Sequence, residues 1–329
     1  MSEQNLLVET VKRSLPFDRR THLNDISATP PWLRRPSSHI IQFYSSYRNI
    51  GNFLPVLGIQ GMLGAPTDVW DIHRVPVDWD YVHAHYRVAI IGGAGLLHAC
   101  FEPFWQDFDR DCKLPFVIWG IGVCLPANEA AQGVDKPVVA RVFGKALLAN
   151  VRDQLTVSHY ALGDSTNIAV CPTVPYLHDW QKKPHPAPIQ PVADVDVLHS
   201  IHTTLASSDE TQRITSAIEA TGRTVQCVEN LQRRRFGIDD ALAYYATARL
   251  VVSTRLHGAI IAFGFDKPYV ALSFDSKVKA FAEGYGGGRL CESIDGLQAA
   301  LAQPAPGVGS LAAAESARAF GEQARAVLL

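Results

Sequence analysis

From about His39 onward, the chain alternates short apolar runs with longer amphipathic segments. Two of the apolar runs stop abruptly at glycine. Val88–Ile91 is followed by Gly92-Gly93-Ala94-Gly95, and Phe116–Trp119 is followed by Gly120-Ile121-Gly122. Short continuous apolar runs are typical of strands that are covered on both faces, as in a parallel sheet. Helical segments lie between them, so the pattern predicts right-handed βαβ units.

A proline-rich stretch interrupts the alternation once. Residues 182–191 contain four prolines, which forbid a helix and discourage a strand. After this stretch the alternation resumes. The predicted strands are Val195–His199, Val225–Val228, Leu250–Ser253 and Tyr269–Ser273, and the predicted helices are Glu210–Thr221, Asp239–Ala248, Gly258–Phe265, Lys277–Gly284 and Ser310–Leu329.

The pattern therefore predicts an α/β protein with two Rossmann-like, doubly wound domains that face each other across a cleft. Residues 1–36 form a polar N-terminal arm with room for one helix, and residues 37–181 form the first domain. Residues 182–191 are the interdomain linker, and residues 192–329 form the second domain with a C-terminal helix. Ligands of such sheets bind at the carboxyl ends of the strands.

Composition narrows the function classes. The 329 residues carry a formal charge of −2, so no overall basic field attracts nucleic acid. The six cysteines form no Cys-x-x-Cys pair, which favours reduced thiols in a cytoplasmic protein over disulfides or zinc. No signal peptide or membrane span is expected, and any anion must be bound by a local site.

The most informative segment is the Arg255-Leu256-His257-Gly258 turn, which joins the apolar run Leu250–Ser253 to an apolar helix. The turn lies at a helix N-terminus, where free N–H groups and the helix dipole favour an anion. Arg255 adds a permanent charge suited to phosphate or carboxylate, and His257 can exchange a proton near neutral pH. Gly258 lets the backbone approach a ligand. The competing interpretation is structural: Arg255 pairs with a carboxylate such as Asp275, and His257 caps the helix.

Two more cations follow predicted strands. Arg152 comes after the apolar stretch Ala146–Val151 and could reach the same anion from the first domain, with Asp153 capping the next helix. The alternative is an Arg152–Asp153 pair on a surface turn. Lys277 could be a third cation, or a solvated lysine at a helix start, and Asp275 could orient Arg255 or act as a base.

Glycines and aromatic residues give weaker signals. Gly93 and Gly95 could give an acceptor access to the cleft, or they could be plain turn glycines. Neither glycine turn fits the dinucleotide-binding pattern G-x-G-x-x-G. Residues 70–86 are rich in aromatic residues and histidine, for which core packing is the default interpretation. No histidine there has partners at metal-ligand spacing, so no metal site is predicted.

The segments Val251–Ala262, Asp266–Ala271 and Lys277–Phe281 resemble the polysaccharide pyruvyl transferase family, and so do Ile90–Gly95, Trp119–Gly122 and Val151-Arg152-Asp153. The likeness extends over roughly residues 39–290, and the Arg-Leu-His-Gly block is its most specific part.

The resemblance implies a glycosyltransferase-B-like fold and transfer of pyruvate from phosphoenolpyruvate to a pair of sugar hydroxyls. The product is a cyclic ketal on a surface polysaccharide or its lipid-linked precursor. No cofactor beyond the donor substrate is implied. If the acceptor is lipid-linked, the resemblance is compatible with peripheral association of the protein with the inner face of the cytoplasmic membrane.

By position, the resemblance assigns Arg152 and Arg255 to the phosphate and carboxylate of the donor, and His257 to the general acid or a phosphate ligand. Lys277 supports them. The remaining predicted substrate contacts are Leu256, Gly258, Gly93, Gly95, Asn52 and Asp275.

Two departures from the family pattern concern the acceptor side. Gly51-Asn52 stands where members commonly carry Gly-Asp, and Cys171-Pro172-Thr173 replaces a usual aspartate. Two other functions remain alternatives: a sugar-nucleotide glycosyltransferase on the same fold, and a non-catalytic carbohydrate-binding or assembly subunit.

Overall fold

The computed structural model describes residues 23–46, 48–125, 133–185, 194–202, 206–233, 236–273, 275–303 and 307–329. Within these residues the chain builds two parallel sheets with helices on both faces. Most of the predicted linker and the first 22 residues lie outside the described residues.

The N-terminal sheet has six strands in the spatial order β2-β1-β3-β4-β5-β6, all of them parallel. Its strands are β1 (Ile40–Tyr44), β2 (Asp68–Asp71), β3 (Val88–Gly92), β4 (Phe116–Ile121), β5 (Leu148–Val151) and β6 (Thr166–Ile168). Its helices are α1 (Ile50–Leu63), α2 (Trp79–His85), α3 (Glu102–Asp111), α4 (Lys136–Lys145), α5 (Gln154–Tyr160) and α6 (Thr173–Gln181).

The C-terminal sheet has five parallel strands in the order β11-β10-β9-β7-β8. Its strands are β7 (Val197–Ile201), β8 (Val225–Glu229), β9 (Leu250–Ser253), β10 (Tyr269–Leu272) and β11 (Gly288–Cys291). Its helices are α7 (Ser208–Glu219), α8 (Ile238–Thr247), α9 (Leu256–Gly264), α10 (Ser276–Tyr285), α11 (Leu297–Ala302) and α12 (Leu311–Leu328).

Both sheets reverse their winding direction next to their first strand, between β1 and β3 in one sheet and between β7 and β9 in the other. The crevice at such a switch point, outside the carboxyl ends of the strands, is where open α/β sheets bind ligands. The central strands are fully buried, as the apolar runs predicted.

The largest apolar cluster of the described residues joins the inner faces of the two sheets through α1, α6, α9 and α12. It includes Trp119 from the N-terminal sheet and Tyr269 from the C-terminal sheet. Two smaller clusters cover the outer faces of the sheets. The two halves therefore share one core rather than meeting only at their rims.

Some elements differ from the sequence-based expectation. Strands β2, β6 and β11 were not expected, since each is short and carries polar or exposed positions. The described part of the N-terminal arm contains two 3₁₀ turns, Ile26–Ala28 and Pro31–Leu33; the rest of the arm, where the predicted helix has room, lies outside the described residues.

The C-terminal helix α12 packs against α1 and α6 of the N-terminal half. Arg325 donates to the carbonyl oxygens of Met62 and Leu63 at the end of α1, at 2.6 and 3.1 Å. None of the described helices combines the length and hydrophobicity needed to cross a bilayer.

Candidate active site

The Arg255-Leu256-His257-Gly258 turn is held from below by two serines. The Ser253 hydroxyl accepts from the Arg255 N–H at 3.2 Å and donates to the Arg255 carbonyl at 2.6 Å. A Cβ added to Gly258 would lie 2.2 Å from Ser253 Oγ and 2.3 Å from Ser200 Oγ. Gly258 therefore packs against the sheet, and any side chain at this position would clash with both serines.

Leu256 is buried in the main core, so its side chain is not part of the cleft. Arg255 occupies the N-cap position of α9, with no side-chain hydrogen bond to the helix. His257, in the first turn, therefore does not cap α9 as the structural interpretation had it.

The Arg255 guanidinium carries its positive charge in a buried environment with little access to solvent. Its Nη1 atom is buried without a hydrogen-bond partner among the described residues, and burial lowers its pKa. Tyr245 and Glu229 lie near enough to act on the same group. A buried charge without a full set of hydrogen-bond partners is costly. Such an arrangement is typical of a cation that binds an anionic ligand.

Beneath Arg255, three buried side chains form a hydrogen-bond network. The Tyr245 hydroxyl lies 2.7 Å from Ser200 Oγ and 2.8 Å from Asn230 Oδ1. Networks of this kind fix the geometry of the groups above them because every member restrains the others.

Arg152 comes from the opposite wall of the cleft, directly after β5. It is only 2% exposed; its Nε donates to Asp153 Oδ2 at 3.1 Å and its Nη2 to the Val123 carbonyl at 3.2 Å. A Cβ on Gly122 would lie 2.2 Å from Arg152 Nε, so only glycine leaves room for the guanidinium. The Arg152–Asp153 pair exists, but it is buried rather than on a surface turn, and Asp153 caps α5 as expected.

Lys277 reaches the cleft from the N-terminus of α10. Its Nζ lies 2.6 Å from Asp275 Oδ2 and 2.8 Å from Cys124 Sγ, which belongs to the N-terminal half. Asp275 also caps α10 by accepting from the Lys277 N–H at 3.0 Å. Among the ion pairs of the described residues, Asp275 pairs with Lys277 and not with Arg255.

His257 lies between the two halves. A Cβ added to Gly51, in the first turn of α1, would fall 2.1 Å from His257 Cγ and Nδ1. The imidazole therefore packs directly on the backbone of the opposite domain. Burial, and then the charges of neighbouring cations, hold the pKa of His257 well below its ordinary value. These cations are Arg152, Arg255 and Lys277.

His202 belongs to the same cluster, although the sequence reasoning did not single it out. It follows β7, and its N–H donates to Thr254 Oγ1 at 2.9 Å, next to Arg255. Burial, with the charges of Arg255 and Lys277, lowers its pKa to about 4. Its place after a predicted strand, at the edge where ligands bind, was the signal that could have identified it.

Two further cleft residues were also missed. The Tyr285 hydroxyl donates to the Arg152 carbonyl at 2.7 Å and so connects the last turn of α10 to the opposite half. Cys124 contacts Lys277 as described. No sequence pattern marks either position, because both contacts arise only when the two halves meet.

The predicted substrate contacts Gly93, Gly95 and Asn52 have different surroundings in the structure. Gly95 lies near the cleft, since a Cβ there would be 3.8 Å from Arg152 Nη2. Gly93 has a positive φ and packs against Pro55 of α1, so its role is helix packing. Asn52 is half-buried in the first turn of α1, next to Gly51.

Cys171, in the segment Cys171-Pro172-Thr173 where the sequence resemblance implied an aspartate, is buried, and its thiol donates to Thr173 Oγ1 at 3.4 Å. Arg152 nonetheless has a carboxylate partner in Asp153. Among the described residues, no group of three or more histidines, cysteines or carboxylates is placed to hold a metal ion.

The fold is similar to that of sugar-nucleotide epimerases. The UDP-GlcNAc 2-epimerase of Methanocaldococcus jannaschii, solved with UDP-GlcNAc and UDP, matches with a TM-score of 0.58 at 10% identity, covering 87% of this chain and 98% of the epimerase. The UDP-GlcNAc 2-epimerase of Neisseria meningitidis matches with a TM-score of 0.51 at 9% identity, covering 86% of this chain and 93% of that one. These similarities show a glycosyltransferase-B-type pair of Rossmann-like domains.

Curated protein sequences yield no significant match to this chain. The family comparison is informative, because a family profile described as polysaccharide pyruvyl transferase matches residues 10–276. That span includes the whole N-terminal sheet, the Arg-Leu-His-Gly turn and the start of α10. The chain therefore belongs to the polysaccharide pyruvyl transferase family.

Proposed function

We propose that the protein transfers a pyruvyl group from phosphoenolpyruvate to two hydroxyls of a sugar, forming a cyclic ketal. The observation that carries the proposal is the convergence of three cations on His257, with Arg152 coming from one domain and Arg255 and Lys277 from the other. Phosphoenolpyruvate carries a phosphate and a carboxylate, which suit two arginines and a lysine. Family membership supports a glycan as the acceptor.

The proposed reaction starts at the enol double bond of the donor. A proton adds to the methylene carbon, and a sugar hydroxyl attacks the neighbouring carbon and loses its proton. The bond from that carbon to the phosphate oxygen breaks, and a second hydroxyl closes the ring and loses its proton. Of the two protons lost, one balances the proton gained by carbon and the other leaves with phosphate.

The chain's own residues fit the parts of this reaction. Arg152 and Arg255 stabilise the departing phosphate and the carboxylate, and Lys277 supports them. His257 is the general acid. The acceptor enters from the side of Gly51 and Asn52, at the switch point of the N-terminal sheet.

Phosphate release tests the proposal. The purified protein is incubated with phosphoenolpyruvate and candidate glycans, and phosphate and ketal-bearing glycan are measured by colorimetry and mass spectrometry. We expect equal amounts of both, unaffected by a metal chelator. His257→Ala should still bind the donor but lose turnover by roughly 10²–10⁴-fold, the usual contribution of a general acid.

His85→Ala is the matched control, since His85 is exposed on α2 and its ring contacts Tyr81 of the same helix. Near-normal turnover of His257→Ala would contradict the assignment. Thermal stabilisation by a nucleotide sugar but not by phosphoenolpyruvate would favour a glycosyltransferase. Oligosaccharide binding without phosphate release would favour a binding subunit.

A further inference from the structure

His257 occupies a place that opposes its own protonation. It lies in the first turn of α9, and its ring packs on Gly51 in the first turn of α1. Each helix N-terminus carries roughly half a positive charge from unpaired N–H groups. An imidazolium here would face two such termini at once.

The charged side chains around His257 are also mostly positive. Three carboxylates of the described residues lie near these cations, and each is already paired: Asp153 with Arg152, Asp275 with Lys277, and Glu229 with Arg233. The groups that face the cleft from the packed elements are Arg152 and Asp153 after β5, Cys124 after β4, His202 after β7, Arg255 before α9, and Asp275, Lys277 and Tyr285 on α10.

Within the described part of the chain, the His257 ring lacks a hydrogen-bond acceptor that would stabilise a positive charge at Nε2. His257 Nε2 is buried and has no hydrogen-bond partner among the described residues. With three cations and paired carboxylates around it, the cleft holds His257 neutral, in line with its strongly lowered pKa. A neutral imidazole cannot deliver the proton that the proposed reaction requires.

We propose that the cleft takes up its anionic donor together with one proton, and that this proton resides on His257. This inference rests on the proposed function and concerns how its acid becomes charged. The phosphate and carboxylate of the donor neutralise the surrounding cations and give the ring an anionic neighbour. An opposite charge within about 4–6 Å shifts a pKa by about 1–3 units toward the charged form. The donor thereby prepares the acid that later protonates it.

Two consequences follow from this coupling. Donor binding strengthens as the pH falls, by up to about tenfold per pH unit for one proton taken up. A ligand that carries less negative charge than phosphoenolpyruvate leaves His257 neutral. Such a ligand can occupy the cleft, but it receives no proton from His257. The acid is therefore available only when the donor is present.

Calorimetry of phosphoenolpyruvate binding to the full-length protein tests this inference. The titration is run near pH 8, where the phosphate is fully ionised, in buffers with different ionisation enthalpies. The slope of the observed enthalpy against the buffer enthalpy counts the protons. We expect the wild type to take up part of one proton near pH 8, and more when the titration is repeated at lower pH. His257→Gln should take up close to none beyond what the donor's own ionisation contributes, and the control His85→Gln, exposed on α2, should show the wild-type value.

Nuclear magnetic resonance of ¹⁵N-histidine-labelled wild type provides a second measurement, which holds even if His257→Gln binds no donor. The signal absent from the His257→Gln spectrum should move from the neutral to the protonated range when phosphoenolpyruvate is added. Donor binding without proton uptake would overturn the inference and leave the proposed function standing.

Uptake that persists in His257→Gln would also overturn the inference, because the proton would then reside elsewhere. Uptake on His257 without transfer to any glycan would support the inference and contradict the proposed function. If phosphoenolpyruvate fails to bind at all, both fall.

Discussion

Position 51 determines where the His257 ring lies. Any side chain there would occupy the same space as the imidazole, since a Cβ would come within 2.1 Å of it. Gly51→Ala should therefore displace His257 or hold the two halves apart. We expect a loss of turnover comparable to that of His257→Ala, measured by phosphate release, with the protein still folded by circular dichroism.

Gly61→Ala, in the same helix, is the matched control. A Cβ on Gly61 meets nothing within 4 Å, so the change should stabilise α1 by about 0.5–1 kcal/mol and leave turnover intact. Equal activity of the two alanine variants would show that the contact between Gly51 and His257 has no role in the reaction.

A second histidine makes a prediction about stability. His199 is fully buried in β7, and burial lowers its pKa to about 4, well below the value of 6.5 of an unperturbed histidine. Between about pH 4 and pH 6.5, the unfolded chain thus binds more protons at His199 than the folded chain does. The stability contributed by neutral His199 is complete above about pH 6.5 and is lost as the pH falls toward about 4.

Between about pH 7.5 and pH 5, His199 alone should cost about 2 kcal/mol of unfolding free energy, at about 1.4 kcal/mol per pH unit below 6.5. Urea unfolding at both pH values measures this loss. His199→Leu should reduce the dependence on pH by that amount, whereas the exposed-site control His85→Leu should not. A His199→Leu protein with the full wild-type pH dependence would contradict the assignment.

At the scale of elements, the C-terminal helix α12 follows the second sheet in the chain but packs on the N-terminal half. Arg325 donates to the last carbonyls of α1, where a positive charge also suits the helix dipole. Arg325→Ala should lower the unfolding free energy by about 1–2 kcal/mol, because two charge-assisted hydrogen bonds on a partly exposed side chain are lost. Chemical denaturation measures the change.

Gln323→Ala serves as the control for α12, since Gln323 is exposed on the same helix. It should change the unfolding free energy by a few tenths of a kcal/mol at most, in the direction of better helix propensity. If both variants were equally stable, the cap on α1 would have no energetic role.

Elements with strong apolar character were the predictable ones. The runs that became β3, β4 and β9 are largely buried on both faces, which is why each is continuously apolar in the sequence. Strand β2 was missed because it begins and ends with aspartate. Asp68 accepts hydrogen bonds from Ser37 and Tyr86, and Asp71 from backbone N–H groups. Except for the His73 N–H, these partners are distant in sequence, so no local pattern could reveal that the carboxylates are buried.

At the scale of the whole molecule, the two switch points face each other. The loop after β1 pairs with the loop after β8, where the Ile50 N–H donates to the Asn230 carbonyl at 3.0 Å. Lys277 and Tyr285 connect α10 to the N-terminal half. Because Asn230 also bonds Tyr245 beneath Arg255, the position of one domain is tied to the geometry of the cation in the other.

The sequence by itself determined the two Rossmann-like halves and the identity of the main cations, because each depends on local order along the chain. An apolar run followed by a polar turn places Arg152, Arg255 and Lys277 at a carboxyl edge wherever the sheet lies.

Only the tertiary structure decided what those residues do together. It assigned Asp275 to Lys277, placed His257 on Gly51, and added His202 and Tyr285 to the cleft. The physical reason is that burial and electrostatic coupling depend on the distance between groups in space. For His257, the groups that lower its pKa include Arg152, which lies more than a hundred residues away in the sequence.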